Sequence, residues 1–175
     1  MKSLMIAAGA LALFIPAVAS AQTFSPTTWY GNVGYAGTSI EGVDLGAIQG
    51  RLGARFGRFV GIEGELSVGV QGDTVVSQNV PVDIDLNHAE AVYLVGYAPI
   101  SPEFDLMARV GYGHAEISGS NGNVNVDAGD DAFAYGVAAQ YHFDGRNGVR
   151  VDYTRHDFQD GGDADVWSVA YSRRF

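Results

Sequence analysis

The chain has 175 residues, enough for one domain, with no cysteine and a net charge of −10 from 10 basic and 20 acidic residues. That composition excludes a disulfide framework and thiol chemistry, and it makes nucleic acid an unfit partner. After the first 21 residues no stretch is long or apolar enough for a membrane helix, while 24 glycines and nine tyrosines set in alternating patterns direct the reading to β-structure.

In chain order, Lys2 precedes an apolar run at residues 4–15, followed by Pro16 and small residues ending in Ala19-Ser20-Ala21. This is the layout of a secretory signal peptide with a small-x-small cleavage site, and the run is shorter than the ~20 residues of a spanning helix. Cleavage is expected after Ala21, leaving residues 22–28 as a short lead and 29–175 as one domain. The signal takes away the only lysine, so nine arginines then face twenty carboxylates, a net charge near −11.

Eight segments of alternating character follow, at residues 29–39, 46–56, 59–70, 86–98, 103–117, 133–143, 148–158 and 165–175. Three connections are short and carry turn residues: Gly57-Arg58, Pro99-Ile100-Ser101-Pro102 and Asp144-Gly145-Arg146-Asn147. The others, at 40–45, 71–85, 118–132 and 159–164, are expected to be long polar loops. Short turns at one end and long loops at the other, with ten or eleven residues per strand, predict an all-β, eight-stranded antiparallel up-and-down transmembrane barrel. An even strand count puts both termini on the short-turn side, the periplasm.

The two faces are separated by cost, because an arginine facing the bilayer midplane costs about 2–4 kcal/mol. Charged positions are therefore assigned to the lumen: Arg51 and Arg55, Glu63 and Glu65, Glu90, Asp105 and Arg109, Arg150 and Asp152. Their alternates, such as Ile48 and Leu52, Ile62 and Leu66, or Val149 and Val151, are assigned to lipid. The sixth segment is aromatic at both ends (Phe133, Tyr135, Tyr141, Phe143) and aliphatic between, as interfacial girdles require. In a barrel just wide enough for side chains, near-balanced inward charges predict a paired network that plugs the lumen. The alternatives are a narrow diffusion pore and a soluble lipocalin-like carrier, which would turn the apolar face inward around a ligand.

With these features in place the chain resembles the outer-membrane β-barrel families that include the opacity-like porins and the transmembrane domains of outer-membrane proteins A and X. The most specific part is the last strand. In those families a terminal Phe preceded by aromatic or apolar residues at alternate positions is read by the barrel-assembly machinery, and Trp167, Val169, Tyr171 and Phe175 fit that pattern. Arg173 falls on the same face and departs from it. The resemblance implies residence in the outer membrane of a Gram-negative bacterium, among lipid and lipopolysaccharide, as a monomer. Ending at Phe175, the chain is expected to carry no peptidoglycan-binding domain. Family membership names a scaffold more than an activity.

Candidate chemistry is sparse. His114, Glu116 and Ser118 share a strand face, in the region where barrel lipid A deacylases keep their serine, histidine and acid. Four residues of extended strand set histidine and serine roughly 13 Å apart, too far for a base and its nucleophile. No catalytic residue is assigned and the chain is read as non-enzymatic. Carboxylates gather in the long loops, at Glu41, Asp44, Asp73, Asp83, Asp85, Asp127, Asp130, Asp131, Asp160, Asp163 and Asp165. Their spacing is not that of a calcium loop, so they are read as solvated, with no metal and no cofactor. Arg155, outward near the loop end, is a candidate phosphate contact. Gly31-Asn32-Val33-Gly34-Tyr35-Ala36-Gly37 has no following helix, so it is not a phosphate loop.

Overall fold

The computed structural model describes residues 27–40, 43–77, 80–120, 125–159 and 161–175. The expected signal peptide and its cleavage site, together with Glu41 and Asp160, lie outside the described residues. The strands are β1 (Thr27–Ile40), β2 (Val43–Phe56), β3 (Val60–Gln71), β4 (Asp73–Ser77), β5 (Val80–Pro99), β6 (Phe104–Ser120), β7 (Asn125–His142), β8 (Asn147–Phe158) and β9 (Asp163–Arg174). Each pairs antiparallel with its neighbour, β3 and β4 both pair with β5, and β9 returns to β1. The wall is thus a closed eight-stranded barrel whose third strand is interrupted once, at Gly72.

Closure pairs the strands on both sides through the apolar band, as a sheet in hydrocarbon requires; beyond it, β4 pairs only with β5 and the start of β7 only with β6. The three tight turns and both ends of the barrel chain, Thr27 and Phe175, lie at one end, called here the turn end. Gly57 and Gly145 have φ of 67° and 76°, a conformation that L side chains rarely adopt, so glycine belongs at both turns.

Two expectations about the opposite end are corrected. The stretches 71–85 and 118–132 are mostly strand: β4 pairs with β5 from Asp73↔Ile84 to Ser77↔Val80, and β6 pairs with β7 as far as Ser120↔Asn125. The ladder needs only backbone groups, so Pro81 and the carboxylates Asp73, Asp83, Asp85, Asp127, Asp130 and Asp131, which read as loop, do not prevent pairing. The alternation Val80, Val82, Ile84, Leu86 is the sequence signal of strand in this stretch. At 17 to 20 residues, β5, β6 and β7 reach roughly 40–48 Å along the axis at a 45° tilt, well beyond the ~25 Å apolar band. One side of the wall therefore stands taller. β1 also starts at Thr27, two residues inside the expected lead.

Burial runs opposite to a soluble protein. Arg150 is 0% exposed while Leu52 is 71% exposed and Trp29 61%. A soluble lipocalin-like barrel, with its apolar face inward, is contradicted by this distribution. Outward aromatic side chains form two belts. Trp29, Phe56, Tyr141 and Phe143 ring the turn end; Tyr35, Tyr112, Phe133 and Trp167 ring the other. Phe143 and Phe133 are ten residues apart, roughly 23 Å along the axis, which matches the hydrocarbon thickness a barrel must cover.

Candidate functional site

The polar interior is assembled by strand parity and register. On β2 the inward row is Gln49, Arg51, Gly53 and Arg55, and on β3 it is Glu63, Glu65 and Ser67. Register sets Arg51 opposite Glu65, so the two side chains start as neighbours on one face. β6 adds Asp105 and Arg109, β8 adds Arg150 and Asp152, and β9 adds Ser168 and Arg174.

Three arginines and three carboxylates make the central layer. Arg51 places Nε 2.8 Å from Glu65 and Nη1 2.8 Å from Asp152, and donates from Nη2 to the Ser168 hydroxyl at 2.9 Å. Arg150 reaches Glu63 at 2.6 Å and Asp152 at 2.7 Å. Arg109 lies 3.2 Å from Glu63 and 3.4 Å from Asp152, also bonds Glu65, and stacks over the Tyr93 ring at 3.6 Å. The layer is neutral in sum, and every carboxylate has at least two cationic partners. That is the condition under which ions can be held away from water.

Toward the turn end a second layer follows. Tyr97 donates to the Tyr30 hydroxyl, which donates to Glu63 at 2.9 Å. Arg55 and Arg174 share Asp105 at 2.9 and 2.8 Å, and Arg55 lies over the Tyr97 ring at 4.2 Å. A Cβ on Gly53 would run into the Tyr30 ring, so glycine there makes room for the tyrosine. Gln140 links His142 and Ser172 below.

Of the nine charges assigned to the lumen, eight meet in these two layers and Glu90 does not. Glu90 is exposed on the outward face of β5, where the inward row is Tyr93, Val95 and Tyr97. A carboxylate near the interface costs far less than one at the midplane, so charge is a poor guide to parity there. Fixing the strand by Glu90 sends its tyrosines to the wrong side. Tyr93 and Tyr97 are hidden for that reason. Tyr30 lies on β1, which has no charge to orient it, and Ser168 and Arg174 lie on β9, where the parity of Ala170 and Ser172 is the signal that places Arg174 inward.

The remaining candidates are placed as follows. His114 Nδ1 is 2.8 Å from Asp131 on the outward face, while the Ser118 hydroxyl donates to Asn87, so serine and histidine are not brought together. Arg155 is enclosed by Asp163 at 2.6 Å, Asp165 at 3.0 Å and Asp157 at 3.6 Å. Its charge is already compensated within the chain, which removes the reason to assign it a phosphate. Trp167, Val169 and Tyr171 line the outward face of β9 and Phe175 follows its end, exposed, with Arg173 exposed among them. Among the described residues no group of three or more metal-ligating side chains converges.

Comparison with solved structures finds the same architecture at low identity. The attachment invasion locus protein Ail of Yersinia pestis, solved with the heparin analogue sucrose octasulfate, has a TM-score of 0.64 at 16% identity over 85% of this chain and 99% of its own. Neisserial surface protein A gives 0.62 at 8% identity over 88% and 100%. The N-terminal barrel domain of Pseudomonas aeruginosa OprF gives 0.57 at 11% identity over 86% and 99%. No curated protein matches the sequence. The profile of the outer membrane protein beta-barrel domain matches residues 5–175, nearly the whole chain, and the protein therefore belongs to that outer-membrane barrel family.

Proposed function

We propose that the protein is a non-enzymatic outer-membrane barrel whose lumen is closed by its own ion pairs, serving envelope structure or surface interaction. The observation that carries this reading is the central layer of Arg51, Arg109 and Arg150 with Glu63, Glu65 and Asp152, all between 0% and 8% exposed. An eight-stranded interior is just wide enough for side chains, and here it is crossed by groups that hold one another. A path for solutes requires those pairs to part, which leaves buried charges uncompensated.

In this reading both termini face the periplasm and the taller end faces outward. Outer-membrane lipid and lipopolysaccharide surround the monomer, and the barrel-assembly machinery is its partner in biogenesis, reading Trp167, Val169, Tyr171 and Phe175. The outer end carries Asp44, Asp73, Asp83, Asp85, Asp131, Asp157 and Asp163. A highly sulfated ligand of the kind seen on Ail is repelled by such a rim, so surface interaction here favours neutral or cationic partners. The wide spacing of His114 and Ser118 supports the non-enzymatic reading, and an altered lipid A acyl pattern on expression would overturn it.

Liposome swelling tests the closed lumen. Vesicles containing the refolded barrel are expected to swell in arabinose no faster than empty ones, whereas rapid swelling identifies a diffusion pore.

A further inference from the structure

The nine arginines are unevenly placed along the barrel axis. Arg51, Arg109 and Arg150 hold the central layer, and Arg155 alone stands toward the taller end, enclosed by its aspartates. The other five gather at the turn end. Arg55 and Arg174 point inward and share Asp105, while Arg58, Arg146 and Arg173 are exposed outside the lumen. Among the described residues these last three are the arginines that pair with no carboxylate, side-chain or terminal.

They also share one arc of the wall. From the β7–β8 turn through β9 and β1 to the β2–β3 turn, the rim carries Arg146, Arg173 and Arg58 in that order. Register sets Arg173 opposite Asn147, and the Arg146 carbonyl accepts from the Arg174 amide at 2.8 Å, so Arg146 and Arg173 stand on adjoining backbone. Arg58 lies 5.8 Å from the centre of the Phe59 ring, which is itself exposed. Asp144, in the same turn as Arg146, is already engaged by the Arg146 and Asn147 amides and the Asn147 side chain. The aromatic belt of Trp29, Phe56, Tyr141 and Phe143 follows this arc. Such rings settle at headgroup level, which sets the three guanidiniums, on long side chains able to reach the interface, beside lipid phosphates.

We infer that this arc holds anionic glycerophospholipid of the periplasmic leaflet, its headgroup phosphates engaging Arg58, Arg146 and Arg173. A guanidinium meets a phosphate with two parallel N–H donors. Net charge selects among lipids: a zwitterionic headgroup brings an ammonium with its phosphate, and three uncompensated cations favour a headgroup that does not. Lipid at the taller end meets the reverse, since Asp73, Asp131 and Asp163 stand there and Arg155 is neutralised within the chain. The lipid preference therefore belongs to one rim. It rests on the proposed orientation only for the name of the leaflet.

The two tryptophans report the two rims separately, because Trp29 lies on the arc and Trp167 near the taller end. Trp167→Phe and Trp29→Phe barrels, each keeping one tryptophan, are refolded into phosphatidylcholine vesicles holding a minor fraction of phosphatidylglycerol, with bromine on one lipid or the other. Quenching of Trp29 is expected to report a lipid shell roughly fivefold richer in phosphatidylglycerol than the bilayer, what one interfacial arginine supplies. The enrichment should decline with added salt. Trp167 should report none. Arg58→Gln/Arg146→Gln/Arg173→Gln is expected to bring Trp29 down to the bulk ratio. Quenching of Trp29 at the bulk ratio with all three arginines present, equal enrichment at both tryptophans, or enrichment that survives the triple variant would overturn the inference. The first two comparisons need no arginine variant to fold. Both leaflets of these vesicles have one composition, so failure here leaves the orientation standing. Orientation is read alone by labelling Thr74→Cys in intact cells: labelling is expected, and its absence overturns the leaflet assignment.

Discussion

Arg150→Leu puts the central layer under the sharpest strain. The guanidinium is wholly buried and contacts Glu63 at 2.6 Å and Asp152 at 2.7 Å. Leucine removes both contacts and turns a neutral layer of six charges into one with a net charge of −1. Breaking a buried pair from one side costs about 3–5 kcal/mol. Here the orphaned carboxylates are not abandoned, since Glu63 keeps Arg109 at 3.2 Å and the Tyr30 hydroxyl at 2.9 Å, and Asp152 keeps Arg51 at 2.8 Å. The expected loss therefore sits near the low end, about 3 kcal/mol. Adding Glu63→Leu restores two cations against two anions, so the double variant should be more stable than the single by at least ~1 kcal/mol. Urea unfolding in lipid vesicles, followed by the fluorescence of the two tryptophans, Trp29 and Trp167, measures both. An Arg150→Leu barrel within ~0.5 kcal/mol of wild type, or a double variant as unstable as the summed singles, refutes the claim that these ions compensate one another.

Three further outcomes follow. Leu52→Arg, on the outward face, should cost about 2–4 kcal/mol in the same titration, whereas Glu90→Gln should stay within ~0.5 kcal/mol; a reversed order would mean that the faces are misassigned. Phe175→Ala should leave vesicle refolding nearly unchanged yet lower the amount of barrel reaching the outer membrane in cells, and normal assembly would remove the C-terminal strand as a recognition signal. In the β7–β8 turn, Asp144 accepts from the Asn147 backbone and side chain and from the Arg146 backbone, which holds its carboxyl below the usual range. Because the folded value is depressed, this stabilisation is present above the unfolded carboxylate pKa of about 3.9 and is lost as pH falls through the lower folded value. Hydrogen exchange should then show the Arg146 and Asn147 amides losing protection in that acid window, and Asp144→Ala should remove it at neutral pH; protection unaffected by the substitution contradicts the turn's reliance on the carboxylate.

Much of this architecture is legible in the sequence because the membrane imposes a period of two with opposite chemistry on alternate residues. Mid-strand charges such as Arg51, Glu63, Arg109 and Asp152 cannot face lipid cheaply, and that alone orients β2, β3, β6 and β8. The rule weakens wherever the cost is small. Glu90 sits near an interface and misdirects β5, and β1 carries no charge to orient it, so Tyr30 is invisible from charge alone. The paired stretches of β4, β5, β6 and β7 beyond the apolar band look like loops because their carboxylates, glycines and Pro81 outweigh the short alternation at Val80, Val82 and Ile84, while ladder hydrogen bonds are made by backbone that every sequence shares.

The measurement closest to the central claim is planar-bilayer conductance of the purified wild-type barrel, with the Arg51→Ala/Arg109→Ala variant alongside. With the lumen crossed by ion pairs, the wild type should show no steady openings, and removing two of the three central arginines should produce them. Steady, uniform openings in the wild type would contradict the closed lumen and return the barrel to the narrow pores.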